Sequence, residues 1–254
     1  MEYFVKKQSI VREVWGKSDT ILLIFAGAAA EFALNRAVDW LYFTGKLPKD
    51  PLGRLFSTVG YARQIVFSEK EFALQTIDKI NAAHARVEYK REAKIPDWAY
   101  RNVLFMLIDY SIRSYEILER PLTFSEKKEI YQVFRELGIH MKISNLPASY
   151  ELFKKMRSIE LKQHLFNGAY TKDLYHQYRK KLGASRFQLL LETQILIVPR
   201  PVRKMLGLRK FSFLSPFIGL YKLSRSLQLD QLLKSFILPS EYKAEIKSLD
   251  HVAL

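Results

Sequence analysis

Three short stretches hold the side chains best suited to chemistry. "KINAAHARVEY", Lys79 to Tyr89, sets one histidine into an apolar helical stripe of Ala73, Ile77, Ile80 and Val87. His84 takes a slot where that stripe calls for Leu or Ile. One reading is a core imidazole hydrogen-bonded to a backbone carbonyl. The other is a single axial ligand to a haem, which asks for one imidazole, an apolar slot and a few cations for its propionates. "DPLGRLFSTVGYARQIVF", Asp50 to Phe67, places Arg54 and Thr58 four residues apart, on one face of a helix, with Tyr61 a turn further on. They read either as a surface arginine with a back-bonded threonine, or as a guanidinium and a hydroxyl sharing a pocket with His84. "LIDYSIRSYE" pairs Asp109 with Arg113, where a structural ion pair is the favoured reading.

Other chemistries lack their residues. No cysteine exists among the 254 residues, so disulfides, thiolate metal sites and a cysteine nucleophile are excluded. HExxH, GxSxG, GxGxxG, P-loop and EF-hand patterns are absent. The histidines at 84, 140, 164, 176 and 251 never stand at ligand spacing on one helix.

The elements that must position these residues read as helices throughout. The apolar "ILLIFAGAAA" run is about half the ~20 residues a bilayer span needs and reads as a buried helix. Glu2, Glu13 and Asp19 precede it, unlike the basic start of a signal peptide. Ser68 with Glu71 and Thr123 with Glu126 read as capping boxes. Pro96-Asp97 opens a helix that runs to about Glu119, and "KLPKDPLG" and "SNLPAS" read as turns. Pro199 and Pro201 bracket a break, Gly183 falls where helices should meet, and Pro239-Ser240 starts a last helix. One all-α domain over residues 1–254 is expected, without signal peptide or transmembrane helix, in the cytoplasm. Net charge is +15, spread along the chain without RNP, RGG or zinc-finger patterns, so no nucleic acid is expected. The densest basic stretch, residues 200–210, mixes Arg200, Arg203, Lys204, Arg209 and Lys210 with apolar residues and reads either as ordinary solvated exterior, the favoured reading, or as a peripheral membrane contact.

Taken in order, "FAGAAAEFAL", "DPLGRLFST", "IVFS", "INAAHARV", "DYSIRSYE", "RPLTFSE" and "LPASYELF" resemble, over residues 20–155, the oxygenase family that includes MpaB and the rubber-cleaving latex clearing proteins. "LIVPRPVRKMLGL" looks like that family's C-terminal part. The resemblance implies a globin-like helical core holding haem b, with His84 as iron ligand and Arg54 and Thr58 beside the haem and oxygen site. Arg86 is then expected to pair with a propionate. O2 and an apolar, alkene-containing or polyprenyl substrate are the implied partners, and oxidative C=C cleavage the implied reaction.

Four departures bear on the substrate and the reaction. Ser57 stands where rubber oxygenases carry a lysine able to reach the iron. Ala33-Leu34-Asn35 stands for an Ala-His-Pro, Leu104 for a second histidine, and Thr44-Gly45 for a His-Ser. The alternatives kept open are a non-catalytic haem or lipophile-binding protein with a repurposed pocket, and a basic surface-binding module.

Overall fold

The structure, a computed structural model, describes residues 2–45 and 49–226. Eleven α-helices form among them and no strand does. The expected all-α class is therefore observed.

The centre of the bundle is α2 (Ser18–Leu34). It follows a short α1 (Ile10–Trp15) and precedes α3 (Val38–Phe43). Because the apolar run of α2 is hydrophobic nearly all round, it can be covered on several sides at once. Ile21, Ile24, Phe25, Ala26, Ala29, Ala30 and Ala33 are all buried. The long α6 (Asp97–Leu118) runs against one side of α2. Gly27 permits this approach, since a Cβ there would come within 2.4 Å of the Tyr110 ring. Trp15, on α1, is fully buried and donates its indole N–H to Ser111 at 3.1 Å.

Between them in sequence lie α4 (Pro51–Phe67) and α5 (Lys70–Arg91), two packed helices joined by Ser68 and Glu69. The expected Ser68–Glu71 capping box does not form. Glu69 is the N-cap of α5, without a side-chain cap bond, and Ser68 closes α4 through its N–H to the Gln64 carbonyl. The extended N-terminal segment caps α5 instead. The Glu2 carbonyl accepts the Lys70 N–H at 2.9 Å, and Tyr3 bridges Glu69. A backbone partner brought in from elsewhere thus takes one of the donors that a helix start leaves unsatisfied.

The remaining helices close the bundle. They are α7 (Phe124–His140), α8 (Tyr150–Gln163), α9 (Ala169–Ile197), α10 (Arg200–Met205) and, after a 3-10 turn at Ser215–Phe217, α11 (Ile218–Ser226). Thr123 and Glu126 make the expected capping box at α7. Gly183, at φ +73°, breaks α9 into two helical stretches, where the sequence placed a junction. That left-handed geometry favours glycine. The start of "KLPKDPLG" and the helix expected from Pro239 lie outside the described residues.

Candidate functional site

The N-terminus of α4 explains the "DPLGR" spacing. Pro51 sits in the first turn, where it loses no hydrogen bond. The Asp50 carboxylate, at the N-cap, accepts the Gly53 N–H at 2.9 Å. A Cβ on residue 53 would fall 2.0 Å from that carboxylate, so the glycine makes room for the cap. The capped turn fixes the start of the helix immediately before Arg54.

Arg54 is half-buried, and among the described residues no carboxylate pairs with it. Burial lowers its pKa, against a smaller opposing effect of Tyr61, yet an arginine stays charged at neutral pH. Thr58 is half-buried one turn on, and its hydroxyl donates to the Arg54 carbonyl at 3.2 Å. Ser57 is exposed and spends its hydroxyl on the Gly53 carbonyl at 2.9 Å.

On α5 the buried stripe runs through Ala73, Thr76 and Ile77 and then opens, with Ile80, His84 and Val87 half-buried. The His84 Nδ1 is enclosed and has no hydrogen-bond partner. Its ring meets the Tyr100 ring edge-on, centroids 5.0 Å apart. Burial lowers the His84 pKa, the charge on Arg54 lowers it further, and Glu88 opposes both. The imidazole is therefore neutral at pH 7. Glu88, one turn on, accepts bonds from the Ile95 N–H at 3.0 Å and the Tyr100 hydroxyl at 3.3 Å, which ties α6 to the end of α5.

The structure thus brings Arg54 from α4 to His84 on α5, with Thr58 on the Arg54 helix. Arg86 is not brought to them. It is exposed, and a two-residue step carries it ~200° around the helix from His84. The expected place for Arg86 at the edge of the same slot is not where the helix puts it.

Asp109 and Arg113 do form an ion pair, at 2.9 Å, at the edge of a larger network that is buried at Glu31 and Arg157. Arg157, on α8, reaches Asp109 at 3.2 Å and Glu31, on α2, at 2.5 Å. Tyr110 donates its hydroxyl to Glu31 at 2.9 Å. Sequence reasoning missed both Glu31 and Arg157. Glu31 had a visible signal, a lone charge ending an apolar run, whereas "KKMRSIEL" gives no sign that its arginine is buried.

The segments that depart from the family pattern are filled differently. Leu104 is buried in the core, facing Gly138. Asn35, 1% exposed, accepts the Ala37 N–H at 2.9 Å and leaves its Nδ2 without a partner. Asn35, Arg36 and Asp39 line an open cleft of about 470 Å³ together with Phe166, Tyr170 and Thr171; none of Arg54, Thr58 and His84 lines it. No group of three or more potential metal ligands occurs among the described residues.

A neutral, partly enclosed histidine on α5 thus lies beside an arginine on α4 that has no carboxylate partner among the described residues. The chain belongs to the family described as "ER-bound oxygenase mpaB/B'/Rubber oxygenase, catalytic domain", whose model matches residues 13–218. That span takes in all of α2 to α9 and makes the protein an oxygenase of the mpaB and rubber-oxygenase type. No curated protein and no solved structure matches the chain.

Proposed function

We propose that the protein is a haem b-dependent oxygenase that uses O2 on an apolar, alkene-containing substrate of isoprenoid character. Oxidative C=C cleavage is the reaction that family membership favours. The observation that carries the cofactor reading is His84: a neutral imidazole whose enclosed Nδ1 has no partner within the protein. Buried polar atoms are rarely left unpaired, so such a nitrogen suits a ring that binds something else. Haem asks for one such side chain rather than a cluster, and these residues fit it.

His84 would hold the group, and Arg54 would supply a cation for a propionate. When bound, haem supplies the one-electron and O2 chemistry that no side chain here offers. The chain's own residues do the rest. Burial and Arg54 keep His84 unprotonated and so available as a ligand. The Tyr100 edge restricts the ring's orientation, and Glu88 restrains Tyr100 in turn. The Thr58 hydroxyl proton is engaged by the Arg54 carbonyl, so its oxygen acts as an acceptor unless the side chain rotates. The apolar α2 and α4 faces exclude water from the bundle.

The absorption spectrum of the purified protein, with and without dithionite, tests this reading. His84→Ala abolishes haem retention; a stoichiometric Soret band in that variant would overturn the assignment. Oxygen consumption with a polyprenyl alkene tests the reaction. Leu34 and Leu104, in place of family histidines, favour a second reading, a haem or lipophile carrier, which predicts a Soret band without substrate-dependent oxygen uptake.

A further inference from the structure

Past the break at Pro199 the chain displays apolar side chains rather than burying them. Phe211 and Phe213 are each 70% exposed, Phe217 and Leu223 59%, and Leu220 64%. Scattered exposed apolar residues are ordinary, but five within residues 211–223 mark an interaction surface.

The display is anchored from beneath. The Glu192 carboxylate, buried on α9, accepts the Phe213 N–H at 2.8 Å and the Ser212 hydroxyl at 3.0 Å, and pairs with Arg209. Burial alone would raise the Glu192 pKa, but these bonds hold it below the usual range, so the anchor stays ionised. Ser212 is drawn inward, while its neighbours Phe211 and Phe213 face out. On α11, Tyr221 donates to Asp19 at 3.2 Å and Lys222 to the Glu119 carbonyl at 3.0 Å. Leu220 and Leu223, three apart, take the helix face turned away from those bonds.

The surrounding charge is of one sign. No acidic residue stands between Glu192 and Asp230, while Arg200, Arg203, Lys204, Arg209, Lys210 and Lys222 do. Arg200, Lys204 and Lys210 are exposed and form no ion pair among the described residues. Arg209 lies over the Phe213 ring at 3.8 Å and Lys210 near Phe211 at 5.0 Å, so cation and ring travel together.

We propose that residues 200–223 dock the protein onto an anionic lipid surface. The phenylalanines and leucines enter the boundary between headgroups and acyl chains, and the cations meet lipid phosphates and carboxylates. A second copy of the chain fits less well, because a symmetric contact would set these cations against each other. The membrane reading of residues 200–210 thus extends to include the aromatic loop and α11, which supply its apolar half. The proposal is independent of the cofactor.

The full chain is sedimented with phosphatidylcholine vesicles, with and without phosphatidylserine. The protein should pellet with the anionic vesicles, and added salt should weaken binding. Phe211→Ser with Phe213→Ser should lower the bound fraction about tenfold with an unchanged melting temperature, since both rings are exposed. Phe213→Trp should show a blue-shifted emission on anionic vesicles. Wild-type protein left in the supernatant would overturn the proposal, as would a double variant that binds like wild type. So would a mass in solution that falls from dimer to monomer in the double variant, which would make the surface a contact between copies.

Discussion

Arg157 holds Glu31 through two parallel hydrogen bonds, of 2.5 and 2.6 Å, where neither side chain meets solvent. The same guanidinium reaches Asp109 at 3.2 Å, so one cation on α8 ties α2 and α6 together. Burial works against the charge on Arg157, but Glu31 and Asp109 raise its pKa above the ordinary arginine value. Arg157→Met leaves the Glu31 carboxylate buried without its cation and should cost about 3–5 kcal/mol. Adding Glu31→Gln removes the stranded charge and keeps an acceptor for Tyr110. The double variant should therefore be more stable than Arg157→Met alone, as urea unfolding of both proteins will show.

Gly27 and Tyr110 set how closely α2 and α6 approach. The methyl of Gly27→Ala would come 2.4 Å from Cδ1 of a ring that is fully buried and held at its hydroxyl by Glu31. Neither helix can yield without disturbing that bond, so the substitution should destabilise by about 1–3 kcal/mol despite alanine's better helix propensity. Tyr110→Leu removes the obstructing ring edge, and in that background Gly27→Ala should cost less. Denaturant midpoints of the four proteins give the coupling.

The fold was legible where one helix carried its own explanation. The apolar run of α2 implies a helix covered on many sides, and Thr123 with Glu126 supplies a cap from within the segment. Ser68 misled because the first amide of α5, that of Lys70, is served by Glu2, 68 residues away in sequence, which no local pattern encodes. The site divides in the same way. Asp50, Gly53 and Arg54 are one capped turn, and their geometry follows from spacing. The nearness of Arg54 to His84 follows from two helices joined by a short link. Arg157 was illegible because its partners come from two other helices, and the exposed Lys154 and Lys155 just before it make it look like part of a basic surface. Arg86 was placed by proximity in sequence, although two residues on a helix point opposite ways.

The His84 environment has a consequence for stability as pH changes. Its pKa in the folded protein lies below the ordinary 6.5, chiefly because burial and secondly because Arg54 disfavour the imidazolium. In the unfolded chain the same ring takes up a proton near ~6.5. Between those two values the unfolded state binds more protons than the native state, so stability rises with pH there. The contribution is full above the unfolded value and is lost as pH falls through the window to the folded value. A bound metal at His84 would act in the same direction, since the ligand must be deprotonated. His164, whose pKa burial also lowers with help from Arg101 and Arg36, adds a similar slope of its own, so the effect of His84 must be read as a difference. His84→Leu removes the titrating group and keeps an apolar filler. The drop in urea midpoint from pH ~8 to pH ~5 should be smaller in that variant than in the wild type. Equal drops in both proteins would mean that His84 titrates alike in the folded and unfolded states.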